Sequence, residues 1–343
     1  MIVTPSDENI ERAAAVVKAG GLVSFPTETV YGLGADAFNE KALAAIFEVK
    51  NRPYFDPLIV HLAGIPELET AADLSVLSKI ARSAALFLAD KFLPGPLTLI
   101  LPKQPSLPSL ATGGLDTVAV RIPASAIAQK LIRLSTGAIA APSANPFGRL
   151  SPTRAVHVEE YFADILILDG GRTALGLEST VLDLTNGEPC ILREGGITSE
   201  QLSDALGKPC KKRRMEASAG TTSPGLLKSH YAPRSELLLY AHNSLCAAPF
   251  VTGTAYIFFE EKSLNAFAKK NGIQPESAAK NYLFALSRSG GSAEVAANLF
   301  DTLHAADRLR PAAIYAEQAP AAGLGAAIND RLFKAGGSKS VLA

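Results

Sequence analysis

The stretch LVSFPTETVYGLGADA, Leu22 to Ala37, decides how the rest of the chain is read. Leu22 to Phe25 have the length and apolar character of a buried strand. A helix precedes them: Ser6 or Asp7 caps it, Ile10, Ala13, Ala14 and Val17 form one face, and Gly20-Gly21 stops it. Pro26 ends the strand and is expected to open a loop that runs to Ala37. Within that loop GLGADA, Gly32 to Ala37, fits the G-x-G-x-x-A dinucleotide fingerprint in letters only. The fingerprint needs a strand directly before it, a helix opening inside it, and an acid about twenty residues on. Here a loop separates Phe25 from Gly32, and position 52 is an arginine. GLGAAI, Gly323 to Ile328, lacks the preceding strand too, and no G-x-x-x-x-G-K-[ST] occurs.

Outward from this stretch, strands and helices alternate. Asn39 caps a second helix with Leu43, Ile46 and Phe47 on one face, and KNRPYFDP ends it at Pro53 and Pro57. Strands are predicted for LIVHL from Leu58, LTLIL from Leu97, TVAVR from Thr117, AIAA from Ala138, ILIL from Ile165, TVLDL from Thr180 and CILR from Cys190. Helical stretches lie near 75–91, 124–135 and 153–162. Several connections are too short for parallel crossovers, so a mixed sheet is expected. Residues 208–236 then lose all periodicity and carry seven Lys or Arg against two Glu. They read as a basic linker, long enough to serve as an active-site lid. After it come the strands ELLLY, TAYIFFE and AAIYAE, the helix AEVAANLFDTLHAADRL, and a last helix through AAINDRLFKA. The predicted organisation is a first α/β domain over 1–207, a linker over 208–236 and a smaller α/β domain over 237–343.

Composition narrows the function. Hydrophobic residues make up 48% of the 343 and charged residues 19%, as in a globular protein. Thirty-three basic residues balance 33 acidic ones, which argues against a general nucleic-acid coat. Cys190, Cys210 and Cys246 are dispersed and odd in number, so neither a zinc ribbon nor a disulfide framework is expected. The first residues lack a basic n-region followed by an apolar core, and no apolar run reaches membrane-spanning length. A soluble cytoplasmic α/β protein without membrane contact is the expectation.

Candidate site residues gather at strand and helix ends. Lys50-x-Arg52 closes a helix, where the dipole alone would favour cations. Ser143-x-Asn145 follows the apolar strand AIAA, and Arg121 and Arg193 each end a buried strand. Such ends are where α/β proteins bind ligands. Four cations with two polar side chains there suit a polyanion pocket, since guanidinium forks and ammonium groups hold phosphate. Thr27-Glu28-Thr29-x-Tyr31 offers hydroxyls and a carboxylate to a small polar substrate, or simply turn chemistry. His61, a single His in a strand, reads by itself as a hydrogen-bonded core residue.

SFPTETVYGLGADA, IFEVKNRPYFDPLIVHL, FLPGPLTLIL, TVAVRIPA, IAAPSANPFGRLSPT, ILDGG, LESTVLDL, ILREGGIT and SPGLLKSHYAP follow one another in register. Together they resemble the YrdC-like family of threonylcarbamoyl-AMP synthases, in its long two-domain form. The resemblance implies a twisted mixed sheet for the catalytic domain and a Rossmann-like α/β domain after it. It implies that Lys50, Arg52, Ser143 and Asn145 form the reacting centre. It implies that Thr29, His61, Arg121, Ala141 and Ser179 surround L-threonine. Arg52, Asp56, Thr117, Ser143, Ser151, Arg193 and Tyr231 would hold ATP. Glu28 stands where the family often has Asp, and Glu194 where Pro often follows the arginine.

The implied reaction joins L-threonine, bicarbonate and ATP into threonylcarbamoyl-AMP, with release of pyrophosphate, as the first step of threonylcarbamoyladenosine formation in tRNA. Mg²⁺ would arrive on the ATP phosphates, without a metal cage of protein side chains. The product would pass to a tRNA-modifying transferase complex, with tRNA itself a further partner. Two other readings compete. One is an RNA-binding module with a concave basic surface, to which the run KKRR would contribute. The other is a carbamoyl transferase that uses the same fold on another acceptor.

Overall fold

The computed structural model describes residues 1–212, 231–274 and 276–336. They form two compact α/β units. The first comprises, of the described residues, 1–147, 152–174 and 178–212; the second comprises 148–151, 175–177, 231–274 and 276–336. Most of the expected linker, residues 213–230, lies outside the described residues, and with it most of the candidate lid.

Among the described residues the first unit has one sheet of eleven strands. In chain order these are β1 (Ile2–Val3), β2 (Val23–Pro26), β3 (Tyr31–Asp36), β4 (Ile59–Leu62), β5 (Leu97–Pro102), β6 (Thr117–Arg121), β7 (Ala138–Ala140), β8 (Leu166–Leu168), β9 (Thr180–Asp183), β10 (Cys190–Arg193) and β11 (Lys211–Lys212). Their spatial order is β1-β8-β2-β3-β7-β4-β6-β5-β9-β10-β11. Parallel pairs such as β4–β6 and β5–β9 sit beside antiparallel ones such as β2–β3 and β5–β6, so the sheet is mixed, as the short connections require.

Two expectations are corrected here. The segment after Pro26 is not a loop to Ala37, because Tyr31–Asp36 forms β3, antiparallel to β2. Gly32 and Gly34 obscured this strand, since glycine weakens a strand pattern unless another group needs the space. At Gly34 a Cβ would come within 2.6 Å of both Ile139 and Phe25. The glycine serves close strand packing, and no phosphate. The second correction concerns Lys211–Lys212, expected in an aperiodic linker. They extend the sheet edge as β11, parallel to β10. The two-residue strands β1 and β11 are too short to show a period.

Helices cover the sheet by parity. α1 (Asp7–Lys18) is capped by Ser6, whose side chain accepts from the Asn9 amide. It packs with α5 (Ala126–Leu134) on Val23, Phe25, Ile139 and Ala141. On the opposite face α2 (Glu40–Lys50) and α4 (Lys79–Phe92) bury Leu58, Val60, Leu62, Leu97, Leu99, Leu101, Val118 and Val120. These are every second residue of β5 and β6 and of the run Leu58–Leu62 that contains β4. The intervening residues therefore point to the other face, and that parity creates the site.

The second unit contains a four-stranded parallel sheet of β12 (Glu236–Tyr240), β13 (Thr254–Glu260), β14 (Leu283–Ser287) and β15 (Ala313–Glu317), in the order β12-β15-β13-β14. Its main helices are α8 (Glu261–Lys270), α9 (Ser292–Arg308) and α10 (Leu324–Gly336). β14 and α8 had no clear signal in the sequence reading. Leu150 and Leu177, from the two short segments, join this unit's core with Leu299 and Leu303 of α9.

Gly34→Ala is expected to destabilise the first unit by about 1–3 kcal/mol through overpacking, and Gly32→Ala, whose nearest neighbour is 3.3 Å away, by less. Urea unfolding followed by far-UV circular dichroism checks this. Equal, negligible shifts would mean that the glycines are not there for strand packing.

Candidate active site

The intervening residues of the central strands form a polar row across the sheet. Strand register places His61 of β4 beside Arg121 of β6. One step on from the Leu99–Val120 pair, Arg121 faces Thr98 of β5. Thr98 lies beside Val181 of β9, and Val181 is opposite Arg193 of β10. Residues opposite one another on neighbouring strands share a face, so His61, Arg121, Thr98 and Arg193 line one surface.

Arg193 reaches that surface through a β-bulge. Ile191 pairs with Leu182 on the apolar face, yet Arg193, two residues on, pairs with Val181. In a regular strand Arg193 would share the face of Ile191. Leu192 is the extra residue, and it turns the guanidinium to the opposite side. There Arg193 donates from Nε and Nη2 to the Ser179 carbonyl at 3.0 and 2.9 Å, and from Nη2 to Ser179 Oγ at 3.1 Å. Ser179 Oγ also bonds Thr98 Oγ1 at 2.7 Å.

Arg121 is held by three partners. Nη1 donates to Thr29 Oγ1 at 2.9 Å and Nε to the Gly95 carbonyl at 3.2 Å, while Nη2 lies 2.7 Å from Glu28 Oε1. The other carboxylate oxygen of Glu28 accepts the Ala124 amide at 3.0 Å. Beside it, His61 Nδ1 donates to the Ile59 carbonyl at 3.1 Å, which leaves Nε2 as the acceptor of a neutral ring. Burial, reinforced by the Arg121 charge, holds this imidazole down to about 3.

A second cluster is built at the end of α2. Asn51 takes the left-handed conformation, φ 51°, and caps the helix. The turn brings Lys50 and Arg52 back toward the sheet. Lys50 is 1% exposed, and its Nζ donates to the Ser143 carbonyl at 2.6 Å and to the Asn145 carbonyl. Burial, then Arg52, pushes this ammonium well below the usual lysine range, against the pull of Asp56. Arg52 donates from Nε to the Asp56 carbonyl and from Nη2 to the Pro57 carbonyl, and pairs with Asp56 Oδ2 at 2.9 Å. Burial raises the Asp56 carboxyl, opposed by Arg52, Lys50 and Arg193. Ala141 bonds the Ile59 carbonyl through its amide, and the Ala144 amide bonds the Tyr31 carbonyl. These bonds pin the Ser143–Asn145 turn to the sheet beside Lys50.

The first unit thus brings together Thr29, Lys50, Arg52, Asp56, His61, Arg121, Ala141, Ser143, Asn145, Ser179 and Arg193. Thr117 begins β6, four residues from Arg121 at the far end of the same strand. Ser151 and Tyr231 belong to the second unit. There the Ser151 carbonyl lies 3.2 Å from His304 Nε2, and the Tyr231 ring packs on Phe300 and under the Arg331 guanidinium. Thr98 was missed in the sequence reading. Its signal is a hydroxyl among the apolar residues of LTLIL, at the parity of Ile100.

His61 gives a pH dependence. Its folded-state value of about 3 lies below the ordinary 6.5, so below that pH the unfolded chain binds a proton that the folded chain refuses. Stability falls with pH from about 6.5 toward 3, by at most about 1.4 kcal/mol per pH unit. His61→Gln lacks this increment, so the stability gap between wild type and variant should narrow between pH 7 and 5. Urea titrations across that range read it; a constant gap would mean the imidazole is not held neutral.

Two family models match in tandem: Sua5/YciO/YrdC, described as telomere recombination, over residues 15–195, and the threonylcarbamoyl-AMP synthase C-terminal domain over residues 197–337. A threonylcarbamoyl-AMP synthase of Pyrococcus abyssi is 42% identical over 337 residues, covering 97% of this chain and 95% of the relative. One of Bacillus subtilis is 38% identical over 340 residues, covering 98% and 95%. The crystal structure of P. abyssi Sua5 complexed with L-threonine matches with a TM-score of 0.86 at 38% identity, over 99% of both chains. Because one family model spans more than half of it and these relatives align across both units, the chain belongs to the Sua5/YciO/YrdC family, in the two-domain form of the threonylcarbamoyl-AMP synthases.

Proposed function

We propose that this protein makes L-threonylcarbamoyl-AMP from L-threonine, bicarbonate and ATP, releasing pyrophosphate and water, as the first step of threonylcarbamoyladenosine formation in tRNA. The observation that carries this reading is the match, over nearly all of both chains, to relatives that bear this activity as their name. The site is consistent with it. Arg121 with Glu28 offers a cation for the threonine carboxylate and an anion for its amine. His61 is held neutral and is too weak a base to keep a proton, so it acts as a hydrogen-bond acceptor. The chemistry asks for positioning and charge compensation rather than a protein nucleophile. A neutral amine attacks the carbon of carbon dioxide or bicarbonate. A carbamate oxygen then attacks the α-phosphorus, and pyrophosphate leaves. The cluster of Lys50, Arg52 and Arg193 faces the phosphates in this reading.

Among the described residues no group of His, Cys, Asp or Glu is arranged to hold a metal, and Asp56 is engaged by Arg52. In this reading Mg²⁺ enters with ATP, bound by phosphate and water. Among the described residues no helix is long and apolar enough to cross a membrane. The product anhydride hydrolyses readily, so a cytoplasmic transferase complex acting on tRNA is the natural recipient.

The direct test is release of pyrophosphate from ATP that requires both threonine and bicarbonate and needs no RNA. Serine, one methyl smaller, should be poorer by about 10- to 200-fold in kcat/KM. Release that is indifferent to threonine would remove the reading. A second prediction separates charge from fold at Arg52. Arg52→Ala strands a buried carboxylate and should cost about 3–5 kcal/mol of stability. Adding Asp56→Asn should recover much of that stability in thermal melts, while the rate stays at least about tenfold below wild type, one phosphate contact being lost. A double variant with full activity would mean that Arg52 is structural only.

A further inference from the structure

The buried hydroxyls near Arg121 fall into two kinds. Thr27 donates to the Val30 carbonyl at 2.7 Å, so the 2.7 Å bond between Thr27 and Thr29 uses the proton of Thr29. Thr29 also accepts from Arg121. Both threonine protons are thereby spent inside the protein, and Thr29 has only acceptor capacity left. Thr98 and Ser179 differ. Their hydroxyls share one bond at 2.7 Å, and Ser179 Oγ further accepts from Arg193. Among the described residues those are all the hydrogen bonds of the two oxygens, whose residues are 0% and 1% exposed. Two protons and one shared bond leave one proton unspent, away from water, where a donor without an acceptor is costly. The register sets Thr98 opposite Arg121, so this proton lies in the row that also holds the carboxylate-binding cation.

We propose that Thr98 is a positioning residue for amino-acid selection: it fixes the Ser179 hydroxyl so that the pair donates its remaining proton to the side-chain hydroxyl of the substrate. Arg193 reinforces this by holding the Ser179 carbonyl with two bonds, so the serine backbone and side chain are both set. The substrate class is a 2-amino acid with a hydroxyl on Cβ. An isostere without that hydroxyl leaves the pair unsatisfied and is rejected for that reason, whereas a missing methyl costs only packing. This rests on the reading of the chain as a threonine-dependent synthase and names the residue that makes the site ask for a hydroxyl.

The test compares L-threonine with L-2-aminobutyrate, which lacks only the hydroxyl. Wild type should prefer threonine by at least about 100-fold in kcat/KM. Thr98→Val keeps the shape and should raise the threonine KM at least tenfold, leave the ATP KM unchanged and bring the preference close to one. Thr98→Ser should restore the preference. A Thr98→Val protein that is less stable but equally selective overturns the proposal, and so does a wild type that does not distinguish the two amino acids. That second comparison needs no variant to fold. If wild type binds threonine in calorimetry but releases no pyrophosphate, the functional reading fails by itself. The same preference, taken as a ratio of Kd values, then still decides the role of the hydroxyl pair.

Discussion

A guanidinium buried in a sheet must be answered by acceptors, and Arg121 meets that demand with groups from separate parts of the chain. Glu28 and Thr29 come from the link between β2 and β3, and the Gly95 carbonyl comes from the turn before β5. An uncompensated charge at such depth is far too costly to keep, so these segments must be placed before the charge can be. Burial, with the Arg121 charge beside it, depresses the basicity of His61, and the same requirement orders the hydroxyls of Thr27 and Thr29.

The second cluster obeys the same rule with different means. Lys50 gives its protons to carbonyls and so depends on the Ser143–Asn145 turn lying against the helix end. Arg52 and Asp56 neutralise each other within one short loop. The two prolines of KNRPYFDP stop the helix and hold that loop, while Asn51 supplies the left-handed turn. Stability and site chemistry are therefore coupled here. Removing one member of the pair strands the other, and the loss of activity can be read only after the charge has been balanced.

Division of labour between the units follows the same logic. The catalytic strands present the cations, whereas Ser151 and Tyr231 are fixed by α9 and α10 of the second unit. Gly176, at φ 72°, passes so close to Ala296 and Ala297 that a side chain there would collide with their backbone. A segment from the middle of the first domain's sequence is thus built into the second unit's core.

The short apolar runs LTLIL, TVAVR and LIVHL by themselves marked these stretches as strands, and the capped, proline-ended helix by itself placed Lys50 and Arg52 at an element end. Local sequence settles such features because side-chain parity and capping act over a few residues. The strand Tyr31–Asp36 was not legible, since its glycines make sense only against Phe25 and Ile139 from elsewhere in the chain. Thr98 was not legible as a site residue, because a hydroxyl in an apolar strand acquires meaning only from the Ser179 that meets it. Arg193 shows the limit most plainly. Its sequence parity points it into the apolar core, and only the bulge at Leu192, created by pairing with β9, turns its charge to the side where Ser179 and the polar row can satisfy it.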